Sequence, residues 1–140
     1  MKRLLVDPHY LIAIALGPLV WVALYLWLGT SSAAFDPKLL IIVCLVYPVL
    51  EELSFRGFIQ SWLLDFPMFA KNIVGKLSAA NIVTSIVFAA AHLFGQPPLW
   101  AASVFFPSLV FGYFRDRTQR VLPGILLHCW YNAGFFLILK

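Results

Sequence analysis

Long apolar runs broken by three compact polar islands constrain this chain more than any other feature. The islands are Glu51-Glu52-Leu53-Ser54-Phe55-Arg56, Phe88-Ala89-Ala90-Ala91-His92 and His128-Cys129-Trp130-Tyr131-Asn132. The runs around them approach the length of about 20 mainly apolar residues that a bilayer-spanning helix needs. In lipid only helices and closed barrels satisfy every backbone polar group within themselves. An ionisable side chain at mid-bilayer costs roughly 2.5 to 3.5 kcal/mol on insertion scales, so residues kept there point by default to a functional site.

Composition supports a membrane setting: 62% of the residues are hydrophobic, only 11% are charged, and the mean hydropathy is +0.90. The expected fold is all-α, a polytopic transmembrane helix bundle of about five spanning helices plus a short interfacial segment, forming a single membrane-embedded domain over residues 1–140. The first expected span runs from Leu11 to Leu28, with a kink at Gly17-Pro18. It follows a basic start, Lys2-Arg3, and Ser31-Ser32-Ala33 offers small residues for signal-peptide cleavage. The apolar core is longer than a signal h-region of about 7 to 15 residues and further spans follow, so a retained helix is expected. A second span begins near Leu39, passes Pro48 and ends before Asp65-Phe66-Pro67. The stretch from Asp65 to Lys76 suits the membrane interface. Further spans are expected from Ala79 to Phe94, from Leu99 to Phe114 and from Val121 to Leu139. No internal repeat, low-complexity tract or linker separates them.

In this scheme Lys2, Arg3, Lys71, Lys76, Arg115, Arg117 and Arg120 fall on one side, against Lys38 and Lys140 on the other. The positive-inside rule then places the N-terminus in the cytoplasm. Loops held against anionic lipid account for the pI of about 9.3 without any nucleic-acid partner. Cys44 and Cys129 lack the company of other cysteines that a disulfide framework or a cysteine-based zinc site needs. Adjacent helical residues point about 100° apart, so His128 and Cys129 do not face each other as a catalytic pair.

The islands carry more. Glu52 and Arg56 stand at the spacing and order at which a carboxylate and a guanidinium meet on a helix, and pairing neutralises both. Glu51 points about a quarter-turn away and is left to face a cavity; desolvation raises a carboxylate toward neutrality and makes it a better general base. Pro48 removes a backbone donor one turn before the acid and loosens the helix there. His128 and Asn132 repeat the four-residue spacing, and two such groups on one stripe suit a developing oxyanion. The alternative is polar packing between helices; two glutamates, two histidines, an arginine and an asparagine in three tight clusters argue against that for the whole set. There is no His-Glu-x-x-His pair, no Gly-x-Ser-x-Gly elbow, and no aspartate within an expected span to form a dyad. Water is the remaining nucleophile. Zinc held by Glu51, His92 and His128 is open on ligand types alone.

Glu-Glu-x-x-x-Arg, Phe-x-x-x-His and His-x-x-x-Asn, in that order on successive helices, resemble the three motifs of the CPBP family of CAAX proteases and bacteriocin-processing enzymes. Gly57 after Arg56 and the Gly112-Tyr113 element extend the resemblance, which covers about residues 39–136 and leaves the helix at about 11–28 as an addition. The resemblance implies a glutamic-type intramembrane endopeptidase with no metal cofactor. In it Glu51 with His92 activates the attacking water, His128 and Asn132 stabilise the oxyanion, and Glu52 and Arg56 support the site. The compact size is similar to that of prokaryotic members that process C-terminal sorting tails, including those of the JDVT-CTERM type. That implies residence in a prokaryotic cytoplasmic membrane, contact with membrane lipid, and a protein or peptide substrate with a C-terminal membrane-associated tail. Two other readings stand beside it: a non-catalytic membrane factor that binds a peptide in an immunity or assembly role, and a small proton-coupled transporter.

Overall fold

The computed structural model of the protein describes residues 4–29 and 35–139. Lys2-Arg3, Ser31-Ser32-Ala33 and Lys140, on which the signal-peptide reading and part of the charge balance rest, lie outside the described residues. The elements follow the order α1 (Pro8–Leu28), α2 (Pro37–Ile41), a first π-helical segment (Ile42–Val46), α3 (Tyr47–Glu52), a second π segment (Leu53–Gln60), α4 (Ser61–Leu64), β1 (Asn72–Val74), β2 (Leu77–Ser78), α5 (Ala79–His92), α6 (Pro98–Ser103), α7 (Phe105–Thr118) and α8 (Leu122–Leu139). The chain is thus overwhelmingly helical. Among the described residues α1 alone is long and apolar enough by itself to cross a bilayer.

Several boundaries differ from expectation. The second expected span is one helical run interrupted twice by π segments. The fourth is split at Val104 and continues to Thr118, which takes Asp116 into the helix. The expected interfacial stretch, Asp65 to Lys76, ends in the first strand and turn of an antiparallel hairpin, in which Asn72 pairs with Ser78 and Val74 with Leu77 around Gly75 at φ +58°.

Two compact units divide the chain: Met1–Val49 with Leu126–Lys140, and Leu50–Ile125. In the first unit, α1 starts at an Asp7 cap that accepts the His9 N–H at 2.9 Å, followed by Pro8 at the first helical position. Pro18 has no N–H for the carbonyl of Ile14, four residues back. The indole Nε1 of Trp130 donates to that carbonyl at 3.1 Å. Beside it the Tyr131 hydroxyl donates to Ala13 O at 2.7 Å, and Trp21 Nε1 donates to Tyr131 O at 3.2 Å. Trp21 and Trp130 meet edge to face with centroids 4.8 Å apart. A Cβ at Gly134 would fall inside the Trp21 ring, and one at Gly17 would lie 2.9 Å from Trp130 Nε1. These two glycines therefore allow α1 and α8 to approach closely within this unit.

The Leu50–Ile125 unit buries polar residues among Leu63, Phe88, Phe111 and Phe114 and exposes large apolar side chains. Glu52, Arg56, Gln60, Asn81, Thr84, Ser85 and Ser108 are fully buried, while Phe58, Trp62, Phe94 and Phe106 are exposed. A large exposed apolar surface over a partly polar interior is the arrangement a lipid solvent favours. Ser78 caps α5 by accepting the Asn81 N–H at 3.0 Å. Asn81 in turn donates to Leu109 O at 3.0 Å, and Gly112 leaves the space that the Asn81 amide fills.

Candidate active site

Glu51 and Glu52 lie at the end of α3, a six-residue α-helix bracketed by the two π segments. Single-turn π segments are rare and recur at functional sites because they re-aim side chains and free backbone groups. Serines take up local carbonyls in the second: Ser54 Oγ donates to Leu50 O at 2.8 Å and Ser61 Oγ to Arg56 O at 2.9 Å. Glu52 and Arg56 meet as the spacing requires, with Nη1 3.1 Å from Oε1 and both side chains fully buried. Arg56 Nη2 donates to both the carbonyl, at 2.8 Å, and the hydroxyl of Ser108 on α7. Its guanidinium lies over two aromatic rings, 4.8 Å from the Phe88 centroid and 5.5 Å from that of Phe111. A cation over aromatic faces is attracted by their quadrupoles, most strongly where water is excluded.

That contact gives the phenylalanine of the second motif a physical role. Phe88 contacts both Arg56 and the His92 ring, the latter with centroids 4.5 Å apart, and the Phe55 ring packs edge-on at 5.0 Å. His92 Nδ1 lies 2.8 Å from Phe88 O. A carbonyl only accepts, so Nδ1 carries the proton and Nε2 is the basic nitrogen. Glu52, Arg56, Phe88 and His92 thus form one connected stack in the Leu50–Ile125 unit. Glu51 is half-buried in the same unit. Among the described residues no three His, Cys, Asp or Glu side chains are gathered to hold a metal ion.

The residues of the third motif lie in the other unit. His128 is buried at 6% exposure. Asn132 Nδ2 donates to Val43 O at 2.9 Å. The π geometry explains why that carbonyl needs a donor: the Tyr47 N–H bonds back to Ile42, and the next residue, Pro48, has no N–H to give. Asn132 therefore fills a position emptied by Pro48, with its second N–H still to direct elsewhere.

Sequence reasoning missed Ser108 as the partner of Arg56 and missed a second polar layer. Gln60 Nε2 donates to Gly112 O at 3.1 Å and to Asp116 Oδ1 at 2.7 Å, while Asp116 Oδ2 accepts the Ser78 N–H at 2.9 Å. Asp116 is thus engaged in structure. A four-residue step from Arg56 to Gln60, answered by Ser108, Gly112 and Asp116 at the same step on α7, is the signal that could have found this layer. Gly124 belongs with these residues, since a Cβ there would lie 2.8 Å from Glu52 Oε2. Gly57 has no such constraint; its Cβ would meet only Val121 at 3.7 Å and the Glu52 carbonyl at 3.9 Å.

The sequence model of the type II CAAX prenyl endopeptidase Rce1-like family matches residues 33–134, most of the chain and all three motifs. The chain belongs to the Rce1-like family. Membership makes it one of a family of membrane-associated peptide hydrolases, consistent with the CPBP resemblance of its motifs. The match begins at residue 33, after the end of α1. No curated protein and no solved structure matches the chain.

Proposed function

We propose that this Rce1-like protein is a glutamic-type intramembrane endopeptidase that cuts near the C-terminal tail of a membrane-associated or exported protein. The observation that carries the reading is the Glu52–Arg56–Phe88–His92 stack. It ties Glu52 into a buried ion pair with Arg56 and holds His92 with Nδ1 against the Phe88 carbonyl, in the same unit as the half-buried Glu51. Glu51 and His92 take a proton from water as its oxygen attacks the scissile carbonyl. The tetrahedral oxyanion is stabilised by His128 and by the Asn132 N–H not directed at Val43, and the proton passes to the leaving amine as the C–N bond breaks. No metal is required in this scheme.

A helical peptide hides its carbonyls in its own hydrogen bonds, so unwinding is least costly near the end of a membrane helix. A tail consisting of a short motif, a membrane helix and basic residues offers such a site. The test is cleavage of co-expressed tail reporters in membranes by the wild type, Glu51→Gln and His92→Ala, with and without a chelator. The wild type is expected to cut despite chelator, and both variants to fail while still inserting. Asn132→Ala is expected to lose about 10²–10³ in rate, as for an oxyanion donor. Equal cutting by all forms would overturn the reading, and loss of cutting on chelation would replace water activation by Glu51 with a metal.

A further inference from the structure

The Leu50–Ile125 unit has two chemically opposite poles. Arg56 bonds to Ser108, Gln60 to Gly112 and Asp116, and Arg115 to Ser61, so the second π segment and α7 run in the same direction. Ser78 bonds to Asp116 and Asn81 to Leu109, so α5 runs against them. Starting from the contact of Phe55 with Phe88, Glu51 lies one turn back on its helix and His92 one turn forward on α5. Both steps lead to the same pole, away from Asp116. The fourteen residues of α5 put His92 about 20 Å along the axis from its start.

Cations collect at the other pole. The Ala79 N–H bonds to Lys71 O at 2.9 Å, Lys76 sits in the hairpin turn, Arg115 and Arg117 occupy the last turn of α7, and Arg120 follows it. The sequence contains no Lys, Arg, Asp or Glu between Lys76 and Arg115, so the loop after His92 is uncharged, and Phe94 within it is 97% exposed.

We propose that the basic pole faces the cytoplasm and that Glu51 and His92 open toward the non-cytoplasmic side. Short loops rich in Lys and Arg are retained on the cytoplasmic side, whereas an uncharged loop crosses without penalty. Taken with the endopeptidase reading, on which this half of the inference rests, the bond cut lies on the outer side of a chain already exported and still anchored. The substrate class is then the extracytoplasmic juxtamembrane segment of an exported protein.

Orientation is read without catalysis. With the chain in a bacterial inner membrane, Cys44→Ser/Cys129→Ser variants carrying Gln96→Cys or Lys76→Cys are exposed to a membrane-impermeant maleimide. Gln96→Cys is expected to label in intact spheroplasts, and Lys76→Cys only in inside-out vesicles. The unsubstituted chain gives a second measurement: trypsin is expected to cut after Lys71 or Lys76 in inside-out vesicles and to spare both bonds in spheroplasts. The reverse pattern, or labelling and cutting from both sides, would overturn the proposed orientation. Glu51→Gln is expected to be labelled, and to be cleaved by trypsin, as the wild type is, so orientation is read apart from activity; a wild type that shows this orientation but cuts no tail reporter contradicts the endopeptidase reading alone.

Discussion

The two units handle buried polarity in opposite ways. In Leu50–Ile125 several buried polar side chains are matched by another, as in Glu52 with Arg56, Arg56 with Ser108, and Gln60 with Asp116. In the unit formed by Met1–Val49 and Leu126–Lys140, side-chain donors of α8 serve the backbone, with Trp130 on Ile14, Tyr131 on Ala13 and Asn132 on Val43. Two of those carbonyls are the ones that Pro18 and Pro48 leave without a helical donor. The difference teaches that charge and helix breakage pose distinct problems in lipid. A buried charge needs an opposite charge and a dry aromatic cage, whereas a broken helix needs a single well-aimed N–H.

The largest effect should come from splitting the charged cage. Arg56→Met leaves Glu52 buried without its counter-ion, and breaking a buried pair costs about 3–5 kcal/mol. We expect a matching fall in unfolding free energy in detergent, with Glu52→Gln added to Arg56→Met restoring much of it. A loss below about 1 kcal/mol for the single variant would mean that the ion pair is incidental.

Next in size are the glycines that set helix separation. Gly112→Val drives side-chain atoms into the Asn81 amide, and Gly134→Ala drives a methyl into the Trp21 ring. Overpacking costs typically 1–3 kcal/mol. The polar unit should suffer more, because displacing Asn81 also breaks its bonds to Leu109 and Ser85. Equal losses in Gly112→Val and a matched Gly134→Val would show that ring packing and hydrogen bonding constrain the two crossings alike.

Much of this organisation was legible in the residues. The three islands, the Glu52–Arg56 pair and the helical class follow from spacing and hydropathy. The boundary at Ser78-Ala79 is marked by a good cap, and the end of α5 lies two residues before the expected Phe94. What escaped depends on register between helices. Ser108 reads as a routine small hydroxyl until Arg56 is seen to reach it, and Asp116 looks like a loop acid until α7 is seen to extend to Thr118. The π segments escaped for a related reason: Pro48 signals a missing donor, but the five-residue step shows only in the Tyr47 N–H bonding back to Ile42, which leaves Val43 O to Asn132. Phe88 was visible as part of a motif, yet its reason is the guanidinium stacked on it, a residue 32 positions earlier in the chain.

The smallest effect tests the proline argument most sharply. Trp130→Phe removes the donor to Ile14 O and should cost about 1 kcal/mol, within the range of membrane and buried hydrogen bonds. Trp130 also packs against Trp21 and lies close to Gly17, so the single variant cannot separate packing from capping. Pro18→Ala supplies the separation by returning a backbone N–H to the carbonyl of Ile14. Capping by the indole then becomes redundant, while its ring contacts are unchanged. A double-mutant cycle of Pro18→Ala and Trp130→Phe should therefore show coupling of about 1 kcal/mol, with the tryptophan substitution nearly harmless in the alanine background. If Trp130→Phe costs the same with and without Pro18, the indole acts by packing alone, and the contrast between a charge-matched unit and a backbone-capped unit fails at Ile14.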